Sequence, residues 1–145
     1  MELCSGSKVD ETMNSMTEPG YLKLANFLDV RGSLDVLEIE FDVKRIYILK
    51  SISLGTMRGN HAHKSLKQIF LSASGSFTIN LTDGVREYCF LMKDGGDALF
   101  VPPGYWRTLN DFSVDAKCFV LASELYNPDD YIHDYQDFLA WRGLN

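Results

Sequence analysis

Cysteine is scarce in this chain, basic charge is outnumbered, and no long hydrophobic run exists. The three cysteines, Cys4, Cys89 and Cys118, are odd in number and far apart. That usage predicts a reducing, cytoplasmic setting with no disulfide framework. Lys and Arg number 14 against 20 Asp and Glu, a net charge of −6, which argues against a general binder of nucleic acid or anionic membrane. No apolar run approaches the roughly 20 residues of a membrane span. Residues 1–20 carry neither a basic n-region nor an apolar h-region, so no signal peptide is expected. What is present is globular: hydrophobic residues make up 46% of 145, enough to bury one core without staples and too short a chain for two ordinary domains.

Residues 1–20 are polar and close on Pro19-Gly20, which reads as a flexible leader before a single domain over 21–145. Short β-rich runs then alternate with turn signals. Strands are expected at 34–39, 44–50, 68–73, 76–81, 86–92, 98–101 and 117–123. Phe77, Ile79 and Leu81 alternate with Ser76, Thr78 and Asn80, the period of a half-buried strand. Asp83-Gly84 supplies a hairpin turn, and Asp94-Gly95-Gly96 and Pro102-Pro103-Gly104 are further turns. At the end, Asn127 can cap, Pro128 suits a first helical position, and Asp129 and Asp130 favour a helix N-terminus. Tyr131, Ile132, Tyr135, Phe138 and Leu139 follow at helical spacing, as an aromatic stripe packing on a β-barrel.

Two of the three histidines sit in Arg58-Gly59-Asn60-His61-Ala62-His63-Lys64. An i, i+2 pair on a strand points both imidazoles to one face. The plain alternative is a polar edge strand with two solvated histidines. The wider spacing favours a site. Gly55, His61, His63, Gln68 and Gly75 resemble the first cupin motif, G-x5-H-x-H-x3,4-E-x6-G, and Gly96, Pro102, Gly104 and Arg107 resemble the second, G-x5-P-x-G-x2-H-x3-N. The expected fold is therefore all-β, a cupin jelly-roll barrel with a short C-terminal helix. Gln68 and Arg107 stand where a metal-binding cupin has glutamate and histidine. Gln is a poor ligand and Arg a permanent cation, so no metal is expected. Two imidazoles and a guanidinium facing one cavity suit proton transfer on an anionic or carbonyl substrate. Arg31, Arg45, Arg58, Lys64 and Lys67 are expected near the barrel mouth, where Arg and Lys pair with phosphate. Tyr47 shares a strand face with Arg45 and Leu49. Trp106 reads either as a stacking platform or as core.

Lys44-Arg45-Ile46-Tyr47, the His61-Ala62-His63-Lys64 run with Gln68, the Val101–Trp106 segment, Val120-Leu121-Ala122-Ser123, Tyr126 and Asp130-Tyr131-Ile132 together resemble a specific cupin family. These are the WxcM-like sugar 3,4-ketoisomerases acting on dTDP-4-keto-6-deoxyglucose. The resemblance implies a cytoplasmic, metal-free homodimer without a cofactor. It would move a ketone from C4 to C3 of a dTDP-linked sugar, feeding 3-amino sugars of bacterial surface polysaccharides such as O-antigen. It implies His61 as base, Tyr47 as proton donor at C4 and His63 as their supporting partner. Arg58, Arg107, Arg31, Arg45, Lys64, Gln68 and Trp106 would contact substrate. His133 stands where arginine is common in the family, and the segment between Glu38 and Lys44 is shorter than usual and lacks its Ile-Pro step. The competing readings are a dTDP-sugar 3,5-epimerase-like enzyme, a non-catalytic sugar-nucleotide-binding cupin and a metal-dependent cupin.

Overall fold

The computed structural model describes Met13 and residues 16–144. In chain order the strands are β1 (Gly20–Leu22), β2 (Ala25–Asp29), β3 (Gly32–Val36), β4 (Arg45–Lys50), β5 (Arg58–His63), β6 (Gln68–Ser74), β7 (Ser76–Thr82), β8 (Glu87–Lys93), β9 (Ala98–Val101), β10 (Trp106–Asn110), β11 (Lys117–Ala122) and β12 (Tyr131–Ile132), before the helix α1 (Tyr135–Trp141). Two five-stranded sheets, ordered β1-β9-β6-β11-β4 and β12-β5-β10-β7-β8, form a jelly roll, and β2-β3 stands apart as a two-stranded ribbon. Every pairing is antiparallel.

The sheets are held by the inward side chains of strands with clean alternation. Phe77, Ile79 and Leu81 of β7 are buried while their neighbours are half-exposed. They meet Phe70, Leu99, Val101, Val120 and Cys118 from the other sheet in one core, and Phe77 stacks on Phe112 with ring centroids 5.4 Å apart. The Asp83-Gly84 turn joins β7 to β8 as expected, with Asp83 Oδ1 accepting from the backbone N–H groups of Val85 and Arg86.

The expected strands are present with shifted ends. The first ends early, at Val36, and Leu37 and Ile39 instead pack outside the sheet with Leu24 and Phe100. β1, β2, β10 and β12 were not expected as strands, and β5 was anticipated only through the reading of the histidine pair. β10 escapes notice because Arg107 occupies an inward position, which breaks the apolar alternation. Within the expected leader, Met13 and Met16 are buried in the cluster with Leu24, Ile69 and Phe100, and Gly20 opens β1. The rest of the leader lies outside the described residues. Cys118 is a buried free thiol. Cys89 is disulfide-bonded, which corrects the expectation of a chain without disulfides.

The C-terminal segment also differs from expectation. Asn127 does cap, accepting from the Asp129 N–H at 3.0 Å, but only a 3-10 turn over Pro128–Asp130 follows. Tyr131 and Ile132 then pair with His63 and Ala62 of β5 as a short strand. The helix starts at Tyr135, behind a second cap in which Asp134 accepts from the Asp137 N–H. Edge pairing with β5 outcompetes a longer helix because it gives the aromatic and β-branched pair a ladder partner.

Because Phe77 lies fully buried between the sheets, Phe77→Ala should lower unfolding stability by about 3–5 kcal/mol. Urea denaturation checks this, the midpoint falling at an unchanged slope.

Candidate active site

The site lies where β4 and β6 of one sheet face β5, β10 and β12 of the other. β5 enters it through a bulge. Gly59 and Asn60 both take positive φ, 93° and 56°, and the register against β10 shifts between Arg107 and Thr108. Glycine is required at 59, since a Cβ there would sit 2.9 Å from the Arg107 carbonyl oxygen. The bulge sets His61 opposite Arg107.

Each imidazole has its tautomer set by a partner. His61 Nδ1 lies 3.0 Å from the Gly59 carbonyl oxygen. A carbonyl only accepts, so Nδ1 carries the hydrogen and Nε2 keeps a free lone pair. His63 Nδ1 lies 3.0 Å from Asp130 Oδ2, and the other carboxylate oxygen accepts from the Ser65 N–H and hydroxyl at 2.8 and 2.7 Å. His63 Nε2 is buried and has no hydrogen-bond partner among the described residues. The two imidazoles meet edge to face, 4.9 Å between centroids, and Tyr131 packs 5.1 Å from His61 and 4.3 Å from His63. His133 stacks on Tyr131, 5.4 Å between centroids, and lies 6.1 Å from His61.

Arg107 is 1% exposed and forms no ion pair among the described residues. Its guanidinium donates to Gln68 Oε1 and to the Tyr105 carbonyl oxygen, the latter at 3.1 Å. Gln68 Nε2 in turn donates to the Tyr47 hydroxyl at 2.8 Å. Burial pulls the Arg107 pKa down to about 10, which still leaves it charged at neutral pH. Burial, then the Arg107 charge, holds His61 down at about 4. The same two causes push His63 down, against the opposing pull of Asp130. Burial raises the Tyr47 phenol, with Arg107 opposing. Burial would raise Asp130, but its bonds to Ser65 and His63 outweigh that and hold it low. At neutral pH the buried Arg107 cation thus sits among two neutral imidazoles and a protonated phenol.

A cavity lies beside His63, lined by Lys44, Arg45, His63, Ser65, Tyr126, Asp130 and Tyr131 among others. The Arg45 guanidinium sits between the Tyr47 and Tyr126 rings, 5.5 and 5.6 Å from their centroids. The donor set does not fit a divalent cation, because a guanidinium bonded to an amide occupies the middle of it. No three His, Cys, Asp or Glu side chains among the described residues could hold a metal ion.

Of the residues singled out in the sequence, His61, His63, Tyr47, Gln68, Arg107 and Arg45 come together. Arg58 and Lys64 are exposed at the two ends of β5. Trp106 does not reach the pocket. It alternates with Arg107, points to the outer face and packs on Tyr135 and Phe138 of α1. Arg31 does not reach it either. It sits 86% exposed at the tip of the detached ribbon, paired with Asp29. The sequence reading missed Asp130, Tyr131 and Ser65 as site residues. Asp130 was read as a helix-start charge, and the signal that could have recovered it is the strand-forming Tyr-Ile pair just after it.

The WxcM-like, C-terminal family model (FdtA) matches residues 17–143. A TDP-4-oxo-6-deoxy-alpha-D-glucose-3,4-oxoisomerase from Aneurinibacillus thermoaerophilus is 37% identical over 123 residues, covering 80% of this chain and 88% of that protein. The crystal structure of a 3,4-ketoisomerase from Helicobacter canadensis superposes with a TM-score of 0.83 at 36% identity, covering 88% of this chain and 99% of that one. The sugar 3,4-ketoisomerase QdtA from Thermoanaerobacterium thermosaccharolyticum, solved in complex with TDP, gives 0.83 at 30% identity over 88% and 96% of the two chains.

No helix among the described residues is long and apolar enough to cross a membrane. Between pH 6.5 and about 4 the unfolded chain takes up a proton at His61 that the native state refuses. Stability should therefore fall as pH falls through that window, because the unfolded state binds more protons there. His61→Asn should flatten the slope, as measured by urea denaturation at a series of pH values. An unchanged slope would mean that His61 charges freely in the native protein. By the match over residues 17–143 and by its relatives, the chain belongs to the WxcM-like family of the FdtA type.

Proposed function

We propose that this protein is a sugar 3,4-ketoisomerase acting on dTDP-4-keto-6-deoxyglucose. It moves the carbonyl from C4 to C3 by proton transfer through an enediolate. The observation that carries the reading is the gathering of a lone-pair imidazole (His61) and a protonated phenol (Tyr47) within the field of one buried cation (Arg107). The hydrogen at C3 is acidic because it is α to the C4 ketone. His61 Nε2 removes it, Arg107 stabilises the oxyanion, the C3 hydroxyl proton passes to the C4 oxygen, and Tyr47 delivers a proton to C4. Hydrogen leaves and arrives as a proton, so no redox cofactor enters the balance. Arg45 at the cavity mouth is the cation best placed for the diphosphate. Arg58 and Lys64, exposed at opposite ends of β5, would contribute at longer range. The product would serve 3-amino sugars of bacterial surface polysaccharides.

The same reading includes a homodimer. Its support is apolar surface with no partner in one copy: Phe27, Leu28, Val30 and Leu34 on the β2–β3 ribbon, and Ile46 and Ile48 on the outer face of β4, are all exposed. The reading also includes a cytoplasmic setting, supported by the nucleotide-linked substrate, although the disulfide at Cys89 points the other way.

Proton NMR with dTDP-4-keto-6-deoxyglucose in D₂O tests the reaction. A 3-keto sugar carrying deuterium at C4 is expected, and His61→Asn should lower turnover by about 10²–10⁴-fold while folding survives. Inversion without carbonyl migration would make the protein an epimerase, and dTDP binding without turnover would make it a binding module. In sedimentation experiments the wild type should run as a dimer, and Leu28→Glu with Val30→Glu should shift it to monomer.

A further inference from the structure

We propose that Gln68 is a positioning residue that holds the Tyr47 hydroxyl hydrogen pointing away from the protein interior, so that the phenol faces substrate as a donor. This rests on the reading of Tyr47 as the proton donor at C4. Gln68 is 1% exposed, and both ends of its amide are occupied by protein. That arrangement differs from the substrate contact expected from the sequence. An amide can in principle sit either way round, but its neighbours decide here. Arg107 has only donors, so it faces Oε1, which turns the NH₂ group toward Tyr47. A flipped amide would set NH₂ against guanidinium N–H groups and leave two donors facing each other.

The phenol oxygen therefore accepts from Nε2 at 2.8 Å. Its own hydrogen has to point elsewhere, and Tyr47 Oη makes no other hydrogen bond among the described residues. The geometry between strands permits this chain. β11 runs between β4 and β6 with Ala122 opposite Gln68 and Val120 opposite Tyr47, so the amide and the phenol meet on a diagonal past the small Ala122 side chain. Arg107 thus orients Gln68, and Gln68 orients Tyr47. A carboxylate at 68 would be the same shape with the opposite effect. It would accept from Arg107 and from Tyr47 alike, drawing the phenol hydrogen inward.

The test is Gln68→Glu, alone and with Tyr47→Phe, assayed with dTDP-4-keto-6-deoxyglucose. Gln68→Glu should lower kcat by about 10²-fold or more, the scale of a positioned acid, with KM little changed. In the Tyr47→Phe background the same change should cost under about threefold, because the two act as a unit. A glutamate at 68 also pairs with the Arg107 charge, but a loss from that source would persist in the Tyr47→Phe background, so near-normal kcat in Gln68→Glu, or a loss of the same size in both backgrounds, overturns the proposal. If Tyr47→Phe keeps its turnover, the donor reading itself fails, which is a distinct outcome. A readout independent of activity is the Gln68 side-chain amide pair in ¹H–¹⁵N NMR of the free protein. Tyr47→Phe should shift the Nε2 proton that bonds the phenol, and an unmoved pair would show that the amide does not donate to Tyr47.

Discussion

A guanidinium with no carboxylate partner lies at the centre of this fold. Arg107 is removed from water and is met by an amide oxygen and a backbone carbonyl, both neutral. Burying a charge without a counter-ion is costly, so the neighbourhood is built to tolerate it. Gln68 presents its oxygen, the two histidines stay uncharged, and Tyr47 keeps its proton. Replace Arg107 by an apolar residue and the first two of these states lose a cause, while Tyr47 keeps its proton through burial. The amide loses its orientation and the imidazoles lose the field that opposes their protonation.

The nearest negative charge is held at one remove. Asp130 touches His63, not Arg107, and its second oxygen is saturated by Ser65. This gives the C-terminal segment a function beyond packing. The 3-10 turn and β12 deliver Asp130 and Tyr131 against β5, while the Lys64 N–H donates to the Asp130 carbonyl and the Gly104 N–H to the His63 carbonyl. His63 is thereby tied down at its backbone and at Nδ1, and it forms a fixed wall for His61. A direct Asp130–Arg107 pair would neutralise the cation and leave it nothing to offer an anionic transition state.

What could be read in the sequence follows from which rule each segment obeys. β7 obeys the alternation of a half-buried strand and was legible to within one residue. β5 and β10 place histidine and arginine at inward positions, so alternation marks them as polar surface. Motif spacing found the site in them where periodicity could not. The tail misled because Asn127-Pro128-Asp129-Asp130 is a sound helix start, and capping alone does not say how far a helix runs. The parity of β10 could have removed Trp106 from the site once Arg107 was placed inside, since neighbours on a strand face opposite ways. Arg31 was placed by its charge and by resemblance, neither of which reports topology, and its ribbon pairs with neither sheet of the same copy.

A histidine that stays neutral down to about pH 4 is a weak base on its face, and Arg107 is part of the reason. On the proposed reaction the same residue resolves the difficulty. As the C3 proton leaves, negative charge grows on the C4 oxygen, and it grows in the field of Arg107. The anion screens the guanidinium from His61, so the imidazolium forms beside a nearly neutral pair where the free enzyme would set it beside a bare cation. The basicity of His61 therefore rises along the reaction coordinate, and it does so only for a substrate that develops its oxyanion at the right place. Interactions that strengthen in the transition state are the ones that accelerate a reaction. In the proposed reaction a buried cation that adds to the effect of burial on its base in the free enzyme, and opposes it less once an enediolate forms, would meet that condition.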